Sequence, residues 1–125
     1  MRKLLVASLL AIAAVVATEA CAMQRSEASM NFDKENVRPF LTELERRLHL
    51  GIEIDALAQF LLDTPIDEEH AVTIPIRYRG KPMALLVRAY MDDVDAPDLY
   101  FETDSKTLRN AIDAEMARFA KARGL

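Results

Sequence analysis

Tryptophan is absent from this 125-residue chain, glycine occurs three times, histidine twice and cysteine once. The lone Cys21 excludes a disulfide within the chain, so the fold must stand on its core rather than on covalent staples. His49 and His70, far apart in sequence, exclude the two-histidine spacing of zinc enzymes. No glycine-rich phosphate loop occurs. Positive charge is not in excess either: 16 Lys and Arg stand against 20 Asp and Glu, a net charge of −4. Such a chain does not attract a phosphate backbone through bulk charge, so nucleic acid is not the expected partner.

What the sequence does have begins at its N-terminus. Arg2 and Lys3 precede an uncharged, largely apolar run of fourteen residues, Leu4 to Ala17, too short for a membrane span of about 20. Ala20-Cys21-Ala22 then places small residues at the two positions that a signal peptidase reads. The order predicts a signal peptide over 1–22, cleavage before Met23 and export to the periplasm or beyond, with no transmembrane span in the mature chain. Thr18-Glu19-Ala20-Cys21 also faintly resembles a bacterial lipobox. That resemblance implies lipidation of Cys21 and a membrane anchor, although Thr18 and Glu19 depart from the pattern. Removing 1–22 leaves 14 basic and 19 acidic residues. Residues 23–35, with Ser26, Glu27, Ser29 and Asn31, show no sustained apolar period and are expected to form a flexible tether.

The remainder, 36–125, reads as one α+β domain in the order α-α-β-β-β-α. Val37, Phe40, Leu41, Leu44 and Leu48 recur at spacings of three and four, which predicts a helix over Val37–Leu50 capped by Asn36. A short helix follows, with Asp55 as its cap and Leu57, Phe60 and Leu61 on its inner side. Asp67-Glu68-Glu69-His70 reads as a polar link. Val72, Ile74, Ile76 and Tyr78 alternate with Thr73, Pro75, Arg77 and Arg79, as a half-buried strand requires. A second strand covers Pro82–Met91 and a third Leu99–Thr103. Because Pro82 has no N–H, a four-residue loop, Arg79–Pro82, is expected between the first two, pairing Tyr78 with Met83. Asp104 or Ser105 caps a last helix carrying Leu108, Ile112, Met116 and Phe119. The architecture expected is a three-stranded antiparallel meander with helices packed on one face.

Chemistry is sparse. Past the tether the one serine is Ser105, better suited to capping than to attack, so a serine or cysteine nucleophile is not expected. Asp92, Asp93, Asp95 and Asp98 could wrap calcium, but the loop lacks the glycine turn and the distal Glu of an EF-hand. No cofactor is indicated. Carboxylate acid–base hydrolysis and a small-ligand or calcium module remain as alternative readings. The leading expectation is a non-enzymatic envelope protein that binds a protein partner, or itself, through the open face of its sheet. Arg77, Arg79, Leu86, Arg88, Tyr90 and Tyr100 alternate outward there and belong to types that often anchor interfaces. An immunity-type or inhibitor-type factor is the concrete version.

Overall fold

The structure is a computed structural model that describes residues 26–125. The expected signal segment 1–22, Cys21 with its lipidation, and residues 23–25 lie outside the described residues. The elements run β1 (Ser26–Asn31), α1 (Lys34–Leu48), α2 (Ile54–Leu62), β2 (Glu69–Tyr78), β3 (Lys81–Tyr90), β4 (Asp98–Thr103) and α3 (Lys106–Arg123). The fold is α+β, with a four-stranded antiparallel sheet in the order β1-β4-β3-β2.

Alternation along the strands builds the two faces of the sheet. On β3 and β4, Leu85, Val87, Ala89, Leu99 and Phe101 are fully buried, while Leu86, Arg88, Tyr90, Tyr100 and Glu102 between them are half-buried. All three helices pack against the first of these faces. Phe40 of α1 is the hub, with its ring centroid 4.8 Å from Phe32, 6.0 Å from Phe101 and 5.5 Å from Phe119. One aromatic cluster thus joins the end of β1, helices α1 and α3, and the centre of β4. The Phe60 ring of α2 lies 5.0 Å from His70 on the same face of β2, and its carbonyl is 3.2 Å from the His70 Nδ1. His70 is a packed strand residue there, not part of a polar link.

Several sequence expectations are corrected. The tether expected over 23–35 contains β1, which pairs with β4 from Ser26↔Thr103 to Asn31↔Asp98, and Phe32 beyond it is fully buried. The sheet therefore has four strands, and the domain extends at least to Ser26 rather than starting at 36. Ser26, Ala28 and Met30 face inward from β1, and two apolar residues are too few to show a period. Helix α1 starts at Lys34 with Asp33 as N-cap, so Asn36 lies inside it, buried, accepting from the Arg123 guanidinium at 3.1 Å. Asp33 acts through its backbone: its carbonyl accepts from Asn36 N–H at 2.8 Å. Helix α2 is likewise capped at Glu53, and Asp55 inside it pairs with Arg38 of α1.

The hairpin loop is also shorter than expected. Arg79 and Gly80 both have positive φ, 54° and 78°, the signature of a two-residue type I′ turn. Tyr78 pairs with Lys81, Ile76 with Met83 and Ile74 with Leu85. In a two-residue hairpin the closing pair exchanges both hydrogen bonds, and bonded and non-bonded pairs then alternate. Pro75↔Ala84 and Arg77↔Pro82 are thus non-bonded pairs, and both prolines fit without a longer loop. The outward-turned Arg77 N–H bonds the Leu50 carbonyl at 3.0 Å, as that parity requires. The shift is two residues, so the inward and outward faces stay as the sequence predicts.

Glu45 fixes the connection from α1 to α2. Its carboxylate accepts from the N–H groups of Leu50, Gly51 and Ile52 at 2.9–3.1 Å. His49 at the helix C-cap and Gly51 both take positive φ to make that turn. Losing charge-assisted bonds to partly buried donors costs about 2–3 kcal/mol. Glu45→Ala is therefore expected to lower stability by about that amount in urea melts. Glu45→Gln should recover only part of the loss, because a neutral amide oxygen accepts more weakly.

Candidate protein-docking face

The sheet face away from the helices is open. Register sets its layout in rows across β1, β4, β3 and β2: Asn31–Asp98–Tyr90–Glu69, then Ser29–Tyr100–Arg88–Ala71, then Glu27–Glu102–Leu86–Thr73. Beyond these the β2–β3 hairpin continues alone, with Ala84 beside Pro75 and Pro82 beside Arg77.

Arg88 is the centre of this face. From β3 its guanidinium donates to Glu69 of β2 at 2.6 Å and to Glu27 of β1, and its Nε lies 3.6 Å from Glu102 of β4. One cation thereby ties all four strands. The guanidinium carbon sits 4.4 Å from the Tyr100 ring centroid, close enough for a cation–π contact. The Arg88 side chain is only 23% exposed. It lies flat among its partners instead of reaching into solvent, so the groups a partner can grip are its neighbours. Burial acts to lower the Arg88 pKa, but hydrogen bonds to Glu69 and Glu27, with their charges, outweigh it and hold the guanidinium above its ordinary value.

Tyr100 responds in the opposite sense. Burial pushes its phenol pKa up, the Asp98 carboxylate adds to that, and Arg88 pulls partly back. A raised folded value means that the stability linked to Tyr100 is fully present below the unfolded tyrosine range. It is lost as pH rises through the folded value. Alkaline titration followed by phenolate absorbance should show Tyr100 ionising above the ordinary tyrosine range. In Arg88→Met, which removes the opposing cation, that ionisation should move later still.

The other residues singled out in the sequence scatter around this centre. Leu86, Tyr90 and Tyr100 line the middle of the face, half-buried. Arg77 and Arg79 are exposed at the hairpin end, where the Arg79 guanidinium carbon lies 5.2 Å from the Tyr78 ring centroid. At the opposite end the four aspartates do not converge. Asp93 Oδ1 accepts from Asp95 N–H at 3.0 Å, and Asp98 Oδ1 accepts from the Asn31 amide at 2.8 Å. Among the described residues, no group of three or more His, Cys, Asp or Glu is arranged to hold a metal ion. The Asp92–Asp98 segment instead lies beside the link before β2, where Asp67 N–H reaches the Met91 carbonyl at 2.5 Å. Ile66 and Val94 in these two loops are 50% and 57% exposed, so large aliphatics stand among the carboxylates.

Ser105 and Glu115 have structural tasks. Ser105 Oγ caps α3 by accepting from Leu108 N–H at 3.1 Å, as the sequence predicts. Glu115, the one buried carboxylate on α3, is paired with Arg47 of α1 at 2.9 Å and with Arg118 at 3.4 Å. Sequence reasoning missed the Arg88 cluster. Its acids come from segments read as a tether, a link and a strand, and only the four-strand register brings them together. No helix among the described residues is long and apolar enough to cross a membrane. Comparison with protein-family models, with curated proteins and with solved structures finds no match to this chain.

Proposed function

We propose that this chain is an exported, non-catalytic protein-binding factor, of the inhibitor or immunity type, that docks its partner on the open sheet face. The observation that carries the reading is the one-sided packing of the helices. It leaves Tyr90, Tyr100 and Leu86 outward on a surface that Arg88 stiffens across all four strands. Aromatic residues held rigid in this way lose little entropy when they are buried by a partner. The export part of the proposal rests on the basic, apolar and small-residue order of 1–22.

The chemistry of the partner follows from the charge on this face. Glu27, Glu69, Glu102 and Asp98 lie on it, and Asp92, Asp93 and Asp95 follow on the adjoining loop, against Arg88 and Arg77. The complementary surface is basic with apolar residues at its centre, and association should weaken with salt.

The test uses side chains that can be removed without disturbing the clamp. Tyr90→Ala combined with Asp92→Ala should lose a protein that co-purifies with the wild type from the envelope fraction, at an unchanged melting temperature, since Asp92 is exposed on the adjoining loop. Arg46→Ala, on the outside of α1, should retain it. Loss in the Arg46 variant as well, or retention in both, contradicts the proposed face.

A further inference from the structure

The sheet contains a gap beside β3. β4 pairs with β3 only from Leu86↔Glu102 to Tyr90↔Asp98 and ends at Thr103, whereas β3 runs on to Lys81. The parity fixed by the Arg79-Gly80 turn decides which groups face the gap. Lys81, Met83 and Leu85 direct their N–H and C=O groups toward β2, and Pro82 and Ala84 direct theirs the other way. Leu86 meets Glu102 on that side, but Ala84 has Asp104 opposite, where the chain bends away toward α3. The Ala84 N–H, the Ala84 C=O and the Pro82 C=O thus form an open edge of three backbone groups inside the outline of the sheet.

A cleft lies on each side of this edge. One, of about 550 Å³, is on the helix side and is lined by Tyr78, Arg79, Lys81, Met83, Ser105 and Thr107. The other, of about 240 Å³, is on the open face and is lined by Thr73, Ala84, Leu86 and Glu102. Both include Pro82, Met83 and Asp104, so they meet at the edge itself. A strand laid against Ala84 and Pro82 would send successive side chains alternately into the two clefts.

We infer that this slot binds an extended segment of a partner protein by strand addition, in line with β4 and antiparallel to β3. Three main-chain hydrogen bonds set its register. The residue opposite Ala84 and the one opposite Pro82 face Leu86, Thr73 and Ala84 and are small aliphatics. The residue between them, opposite Met83, enters the larger cleft, where Arg79 and Lys81 make no ion pair among the described residues while Asp104 supplies one opposing charge. That residue is acidic. The fitting motif is aliphatic–acidic–aliphatic. Pro82 limits the edge to one N–H, which keeps the slot from templating long strand pairing between copies.

The probe is the capped pentapeptide Thr-Val-Glu-Val-Thr, added to the full chain at millimolar concentration, with amide hydrogen exchange as the readout. The Ala84 amide exchanges freely without the probe and should slow about tenfold or more with it, as near-saturation requires. The Lys-for-Glu peptide should have no comparable effect. Ala84→Pro removes the slot's donor without touching the β2 ladder; having no amide at 84 to follow, it is read on the peptide, whose NMR signals should broaden with the wild type and stay sharp with this variant. Should that variant unfold, Lys81→Glu, at an exposed position, should weaken the Glu probe about tenfold. Unchanged Ala84 exchange, or equal protection by the Lys peptide, overturns the inference. Protection already present without peptide also overturns it: growth with protein concentration marks a second copy in the slot, and independence of concentration marks a segment of the same chain. Tyr90→Ala with Asp92→Ala, which touches neither cleft, should leave probe binding intact, so this site and the docking face fail or stand separately.

Discussion

Replacing Phe40 with alanine should cost about 3–5 kcal/mol, the largest loss expected from any single truncation in this domain. Its ring is fully buried and meets Phe32, Phe101 and Phe119, which belong to three other parts of the chain. The cavity left behind would open among β1, β4, α1 and α3 together, so the surroundings could not collapse around it by moving one element. A domain of this size has about 5–15 kcal/mol of total stability. Phe40→Ala should therefore be partly unfolded at 37 °C, and Phe40→Leu, which fills most of the volume, should recover much of the difference. Denaturant melts of the two variants measure this. A cost of about 1 kcal/mol for the alanine change would mean that the four rings do not share one core.

The second large effect belongs to Arg88. Arg88→Met keeps the hydrocarbon stem and removes the charge, leaving Glu27, Glu69 and Glu102 facing one another on three different strands. Breaking a buried ion pair by removing one partner costs about 3–5 kcal/mol. The acids here are partly in water, Glu69 at 43% exposed and Glu27 at 38%, so about 2–3 kcal/mol is the expected loss after allowing for screening. Two features mark repulsion as its cause. The loss should shrink as salt is raised, and Glu27→Gln with Glu69→Gln in the Arg88→Met background should restore stability. If the triple change is less stable than Arg88→Met alone, the carboxylates are not the reason. This effect also explains why Arg88, although it lies on the proposed docking face, is a poor choice for testing partner binding.

Much of the fold is legible in the sequence because one physical signal, burial on one face, repeats often enough to read. Helix α1 carries five apolar residues at helical spacing, and β2 alternates over the seven residues from Val72 to Tyr78. The inward set of β2, β3 and β4 is correct even though the turn between β2 and β3 is misplaced, because a two-residue shift preserves the face. What fails is local. β1 offers only Ala28 and Met30 to the core and shows polar residues elsewhere, which by composition is indistinguishable from a solvated linker. The turn is missed because Arg79 takes a positive φ that a non-glycine residue rarely adopts. Pro82 correctly excludes a turn at Gly80-Lys81, but moving the turn back by one residue satisfies the prolines as well as lengthening the loop does.

The candidate face is half legible for a related reason. Tyr90, Tyr100 and Leu86 can be read outward from alternation within single strands. The state of Arg88 cannot, because it depends on which residues of β1, β2 and β4 come abreast of it. A sequence that lists an arginine among outward residues does not say whether its charge is free or shared among carboxylates. The slot beside β3 is invisible for the same reason, since it exists only through the difference in length between β3 and β4.

Site-specific photo-cross-linking in cells would test the docking face most directly, with a photoreactive phenylalanine analogue placed at Tyr100 in one variant and at the exposed Ala117 of α3 in another. The account predicts a defined protein adduct from position 100, absent from position 117, whose mapped contact surface is rich in lysine and arginine. An adduct from position 117 alone, or none from position 100 in a normally folded variant, would contradict it.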